Sequence, residues 1–309
     1  MHALIKKTRN RLFHIYYIPL VFLLFPSCNS SSENSDMNYT EVAIEKLEQD
    51  TSTAYNDKTA YEYYLKGMYL KDTLSDNINA IEQFNKAIEL KSDYAEAYYN
   101  RGISKARIGE FHGAISDLTK VIELEPNNEK AYNKRGICKM NTNELESGIT
   151  DLNKAISIKQ DFSDAYNNRG TIYANLGNSE AAIEDYNKAI LYDPNNFDAY
   201  TNRGVQKSKI ENYTDALADY DKSIKINPKN ELVYYNKGIV YVYQENYTEA
   251  IKEFDKSILI KNDYTDAYVN RGVAKKALEN IKGACEDWNI AAKLGSEKAK
   301  LFILSMCNE

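Results

Sequence analysis

The stretch Ala165-Tyr166-Asn167-Asn168-Arg169-Gly170 returns 34 residues later as Ala199-Tyr200-Thr201-Asn202-Arg203-Gly204. Working outward, the same step finds Tyr98…Gly102, Tyr132…Gly136, Tyr234…Gly238 and Tyr268…Gly272. An earlier copy, Tyr63…Gly67, lies 35 residues before the next, and the extra residue is expected in a loop near 73–76. Seven units therefore run over 60–94, 95–128, 129–162, 163–196, 197–230, 231–264 and 265–298. A fixed period of this length means one supersecondary unit stacked on its neighbours, since no single unit can bury its own apolar face.

With the first residue of each unit as position 1, Gly holds position 8 in all seven units, and position 20 is Ala except at Gly148. Position 24 is Phe84, Leu118, Leu152, Tyr186, Tyr220, Phe254 and Trp288. Apolar residues at 20, 21, 24, 27 and 28 share one helical face, and positions 4, 8 and 11 form a second stripe. Pro126, Pro194 and Pro228 break the chain at position 32. Each unit is predicted to be two antiparallel helices turning near position 15 or 16. A Gly inside a helix costs about 1 kcal/mol against Ala, so its recurrence needs a common cause. The hairpin supplies one, because small residues at 8 and 20 let two backbones approach. Positions 7 and 23 are symmetric about the turn and carry Arg101 with Asp117, Arg135 with Asp151, Arg169 with Asp185, Arg203 with Asp219 and Arg271 with Asp287. Because each cation has a matched acid, these read as structural ion pairs holding helix register rather than as an anion site.

This pattern resembles the tetratricopeptide repeat in Gly 8, Ala 20, aromatic 24, small 27 and Pro 32, with Tyr where that family usually has Trp at position 4. The resemblance implies an all-α, right-handed α-solenoid of about seven helix-turn-helix units. It also implies a concave groove lined mainly by first helices, protein or peptide partners, and no enzymatic activity. In that geometry positions 2, 5, 9, 12 and 13 face the groove. Its N-terminal end would offer Tyr61, Tyr64, Met68 and Tyr99. Its middle would offer Asn133, Asn141, Asn167, Asn175 and Lys209, and its C-terminal end Tyr235, Ile239, Val242 and Tyr243. Aromatic and Asn side chains suit an extended peptide. The subtype that clamps a C-terminal carboxylate carries Asn just after the first Gly, where this chain has Met68.

The ends of the chain are different. Residues 1–27 combine a basic start, the apolar run LFHIYYIPLVFLLF and Phe25-Pro26-Ser27 before Cys28. The run is too short to span a bilayer comfortably, which takes about 20 apolar residues. It reads as a secretory signal and resembles a bacterial lipoprotein signal, which implies lipid on the Cys28 sulfur and a membrane contact through that anchor alone. In enteric lipoproteins an Asp after the Cys retains the protein in the inner membrane. Asn29 therefore points to a cell envelope protein of the outer membrane. Residues 28–59 read as the lipidated Cys and a polar tether, with a short helix expected over Thr40–Asp50. At the other end, Glu297–Met306 is predicted to be a capping helix, with 299–309 beyond the last unit. Cys285 and Cys307 lie symmetrically about Ser296, which leaves either a disulfide or two buried thiols. Cys138 has no obvious mate.

Composition excludes several chemistries. The whole chain carries a formal charge of -6, and the first 27 residues contain four basic residues and no acid, so the rest is more acidic still. Such a body suits neither nucleic acid nor an anionic membrane surface. With His112 the one histidine beyond that segment, a His-based catalytic pair or a His-rich metal site is nearly ruled out. No P-loop, paired-Cys motif or dinucleotide turn is present, so no catalytic residue, metal or cofactor is expected, nor a small-molecule ligand. The leading expectation is an interaction scaffold or adaptor, and the alternative is a structural envelope component that binds peptidoglycan or polysaccharide.

Overall fold

Seven times the chain reverses through a three-residue loop whose middle residue is left-handed, at Ser75, Gly109, Asn143, Gly177, Glu211, Glu245 and Glu279, with φ between 55 and 84°. These loops join the helix pairs seen in the computed structural model, which describes residues 36–307, with side chains from Thr53 onward. The pairs are α1 (Asp36–Thr73) with α2 (Asn77–Leu90), α3 (Ala95–Arg107) with α4 (Phe111–Leu124), and α5 (Glu129–Asn141) with α6 (Leu145–Ile158). Then follow α7 (Ser163–Asn175) with α8 (Ser179–Tyr192), α9 (Phe197–Lys209) with α10 (Tyr213–Ile226), α11 (Glu231–Tyr243) with α12 (Tyr247–Ile260), and α13 (Thr265–Ala277) with α14 (Ile281–Lys293). A single helix, α15 (Glu297–Met306), closes the series, and no strand occurs among the described residues. From α2 onward each helix packs on the next, and from α3 to α13 first helices also touch the first helices of adjacent units, as in a solenoid.

The glycine at position 8 explains the tightness of each hairpin. A Cβ on Gly204 would lie 2.6 Å from the Tyr220 ring, and one on Gly238 the same distance from Phe254. At Gly102 the facing residue is Leu118, and the added atom would sit at a tolerable 3.3 Å. The position-24 side chains that fill this gap are buried, as are Ala80, Ala114, Ala182, Ala216, Ala250 and Ala284 at position 20.

Between units the chain turns again, and in five of these six turns the position-34 N–H donates to the position-31 carbonyl, as in Tyr94 to Lys91 (3.2 Å) and Asn196 to Asp193 (3.0 Å). Two side-chain chemistries hold this one turn. In 125–128, 193–196 and 227–230 a Pro is followed by a terminal Asn, and Asn128, Asn196 and Asn230 accept a backbone N–H of the following helix. In 91–94, 159–162 and 261–264 the last residue is Tyr94, Phe162 or Tyr264, and none makes a capping bond. An Asn cap contributes about 1 kcal/mol, which these turns forgo. Instead the Nζ of Lys91, Lys159 and Lys261 lies over the ring three residues on, at 5.7, 5.4 and 5.5 Å.

Two expectations need correction. Of the expected polar tether, residues 36–59 fall within one continuous helix, Asp36–Thr73, in place of the short helix expected over Thr40–Asp50. No Pro interrupts this span, its Ala, Leu, Glu and Lys are good helix formers, and Gly67 lies within a packed hairpin. The extra residue of the first unit does not lengthen the loop, because 74–76 is three residues like the others. It is taken up at the end of α1, where the Asp76 N–H reaches back six residues to Leu70, against five from Glu110 to Lys105. No described helix is long and apolar enough to cross a membrane. The signal segment 1–27 and Cys28 lie outside the described residues.

Candidate binding groove

The Arg–Asp residues meet across each hairpin. In all five pairs the guanidinium grips the carboxylate by two bonds, Nε to Oδ2 at 2.8–2.9 Å and Nη2 to Oδ1 at 2.5–2.7 Å. The remaining Nη1 crosses to position 25 of the preceding unit, at Asn85, Thr119, Asn153, Asn187 or Asp255. Lys237 makes the corresponding link to Asp221 at 2.6 Å. The Tyr at position 4 lies under the same guanidinium, 5.2 Å from Arg101 at Tyr98 and 5.5 Å from Arg203 at Tyr200. Where position 11 is Lys105, Lys139, Lys207 or Lys275, it adds a second cation to the carboxylate at 2.8–2.9 Å. The bond to Asp185 holds the Arg169 guanidinium above its usual pKa. All three nitrogens of each of these arginines bond within the protein, so the ladder reads as scaffold rather than as an anion site. The crossing to position 25 was missed in the sequence, although that position is Asn, Thr or Asp throughout and lies 16 residues before the Arg, as far as the Asp lies after it.

The groove-facing candidates divide by accessibility. Tyr61, Asn141, Asn175, Lys209 and Tyr243 are exposed, while Tyr64, Met68, Tyr99, Asn167, Tyr235, Ile239 and Val242 are half-buried. Asn133 is a correction, being only 2% exposed, with its Oδ1 accepting from the Asn168 Nδ2 at 2.9 Å. The cause is a second inter-unit chain of bonds, in which Asn at position 6 donates to position 5 of the unit before. It recurs from Asn202 to Asn167 at 3.1 Å, from Asn270 to Tyr235 at 3.1 Å and from Asn100 to Tyr64 at 3.4 Å. Position 5 is thus partly a joint between first helices.

Open space gathers at two places. A cavity of about 520 Å³ is bounded by Asp57, Tyr61, Lys91, Asp93, Tyr94 and Glu96, and a neighbouring one of about 190 Å³ by Glu96, Tyr99, Asn100, Glu125 and Lys130 among others. A third, of about 440 Å³, is lined by Lys209, Tyr213, Ile239 and Tyr243 among others. The first two are rich in carboxylates and aromatic rings. Burial holds the Tyr94 hydroxyl up at about 12, with Tyr64 and Glu96 adding to it. Along the inner helices the Asp198 carboxyl is likewise raised, by burial and then by Asp164.

At the C-terminal end Cys285 and Cys307 are joined by a disulfide, with Cα atoms 5.8 Å apart. It ties α14 to α15, whose Phe302 ring lies 4.9 Å from Trp288 and whose Ala299 is fully buried. Cys138 is a buried free thiol that burial pushes up to about 11, away from the reactive thiolate form. No cluster of His, Cys, Asp or Glu suited to a metal occurs among the described residues.

This architecture is that of a known class of helical-repeat protein. Tetratricopeptide repeat profiles match 95–128, 129–162, 163–196, 197–230 and 219–252, and a TPR repeat profile matches 76–109. Together they span more than half of the chain, which belongs to the tetratricopeptide repeat family. No curated protein sequence matches it significantly. Among solved structures, a tetratricopeptide repeat protein from Parabacteroides merdae ATCC 43184 superposes with a TM-score of 0.63 at 20% identity, over 81% of this chain and 100% of the other. Pseudomonas aeruginosa PilF superposes with a TM-score of 0.60 at 17% identity, over 68% of this chain and 97% of the other. At these identities the likeness is one of fold.

Proposed function

We propose that this protein is a lipid-anchored interaction scaffold of a bacterial cell envelope, holding a peptide or protein segment in the groove of its repeat array. The observation that carries the reading is the contrast between two sets of positions. Positions 7, 8, 23 and 25 repeat from unit to unit and satisfy one another inside the scaffold. The groove positions are less uniform, position 13 for example running Asp72, Arg107, Asn141, Asn175, Lys209, Tyr243 and Ala277, and some of them border cavities edged with exposed Tyr61 and Tyr243. A repeated scaffold whose groove positions vary between units is suited to recognising partners. The anchor rests on the sequence around Cys28, with the acylated residue tethering the array to the outer membrane. Two or more acyl chains would hold it there stably.

Proximity crosslinking in intact cells, from reactive groups placed at Tyr99 and Tyr243, tests the partner. Protein adducts are expected. Glycan fragments in their place would favour the alternative, a structural component that binds peptidoglycan or polysaccharide through its tyrosines. Cys28→Ala should abolish fatty-acid labelling and detergent partitioning, and retention of both would remove the anchor.

A further inference from the structure

Two side-chain clusters, each built on one of the joints between first helices, repeat each other across five units. The first is Tyr64, Tyr94, Glu96 and Asn100, and the second is Tyr235, Tyr264, Asp266 and Asn270. The tyrosine rings lie 5.2 Å apart at 39° in one and 5.0 Å apart at 48° in the other. In each, Asn donates both to the first Tyr hydroxyl and, at 2.9 Å, to the backbone carbonyl of the acidic residue. A Phe backs the first ring, Phe84 at 6.0 Å and Phe254 at 5.9 Å. No other unit has Tyr at both positions 5 and 34. Helix capping does not select these rings, because Tyr94 and Tyr264 stand where Asn caps the helix in three other units.

The carboxylates make the clusters more than apolar packing. Glu96 and Asp266 are exposed and form no ion pair among the described residues, unlike the scaffold acids. Lys91 and Lys261 lie over the rings of Tyr94 and Tyr264, so these faces already accept a cation, yet neither lysine bridges to Glu96 or Asp266. At the N-terminal cluster the approach is the 520 Å³ cavity, which Asp93 also borders, along with Asp57, whose carboxylate Lys91 bridges at 3.3 Å. Ring faces attract an alkyl-ammonium or guanidinium group, and a carboxylate beside them supplies the counter-charge.

We infer that each cluster is a subsite for a lysine or arginine side chain, so that the array selects a polypeptide with basic residues at two separated places. This deepens, and rests on, the peptide-binding reading above. Two linked subsites would reinforce each other through effective concentration, which makes the pair more selective than either alone.

The test uses the purified full chain with a display library of random twelve-residue peptides, then a fluorescein-labelled peptide alternating Lys and Ala with a Glu/Ala counterpart. Lys and Arg should be enriched among the selected peptides. The Lys/Ala peptide should bind roughly tenfold or more tightly than its acidic counterpart at low salt. Glu96→Gln and Asp266→Asn should each weaken it about threefold, and the double variant about tenfold, with circular dichroism unchanged. Glu180→Gln, which removes an exposed charge on α8 that forms no ion pair among the described residues, should leave it unaffected. Equal losses in this control, or none in the double variant, would overturn the subsites. Selected peptides without basic residues would overturn them too, while leaving peptide binding standing. Failure to select any peptide, together with binding of purified glycan strands, would overturn both readings.

Discussion

The turn at 193–196 and the turn at 261–264 carry nearly the same backbone with opposite chemistry. Asn196 caps α9 and also donates its Nδ2 to the Ser163 hydroxyl at 2.9 Å, so its whole side chain serves the fold. Tyr264 caps nothing, and its ring packs on Tyr235 beneath Lys261. The difference separates two requirements that one position can meet. The carbonyl-to-amide bond sets the turn in both cases, and the side chain is then spent either on the helix end or on the groove.

If hairpins and turns are independent, damage inside a hairpin should not depend on which turn follows it. Asp151→Asn precedes an aromatic turn and Asp219→Asn an Asn-capped one, and each would leave an Arg and a Lys without their acid. Both should lose about 3 kcal/mol in urea unfolding, and a gap much above 1 kcal/mol between them would break the comparison. Gly204→Ala should come next, at about 2 kcal/mol, because its Cβ meets Tyr220, while Gly102→Ala beside Leu118 should cost clearly less. Similar losses at both sites would refute the steric account. Asn196→Ala removes a cap and a buried bond together, and its thermal midpoint should fall by an amount equivalent to about 2 kcal/mol. Tyr264→Asn sharpens the contrast most directly. A regained cap should offset much of the lost ring contact, for a net change below about 1 kcal/mol, and a much larger loss would show that the ring is scaffold after all. The smallest effect is expected at Glu211, held at φ 61°, where Glu211→Gly should raise stability by about 0.5–1 kcal/mol.

The helix pairs and the close approach at position 8, copied seven times, and the matched Arg and Asp, copied five times, were legible because each is a short-range pattern that recurs. Features between units were harder to read. The bond from Arg169 to Asn153 and that from Asn168 to Asn133 depend on how one unit stacks on the next. Stacking geometry leaves no signature in a single repeat, so Asn133 was read as groove surface although it is a buried joint. The two turn chemistries were visible as Pro126, Pro194 and Pro228 against their absence elsewhere. That absence read only as a missing breaker, because the substitute is a lysine lying over a ring. The extension of α1 back to Asp36 was hidden by a polar composition that suits tether and helix alike.

The arginine ladder has a consequence for how such a chain can grow. Each rung joins partners 16 residues to either side, within a period of 34. Duplicating or deleting one complete unit would rejoin every rung in register, whereas a stray single residue must be absorbed at a helix end, as near Thr73. The array can thus change its length in whole steps without redesign of its interior. What each step would alter is the span between Tyr94 and Tyr264, making the count of units a heritable ruler for whatever the inner surface measures.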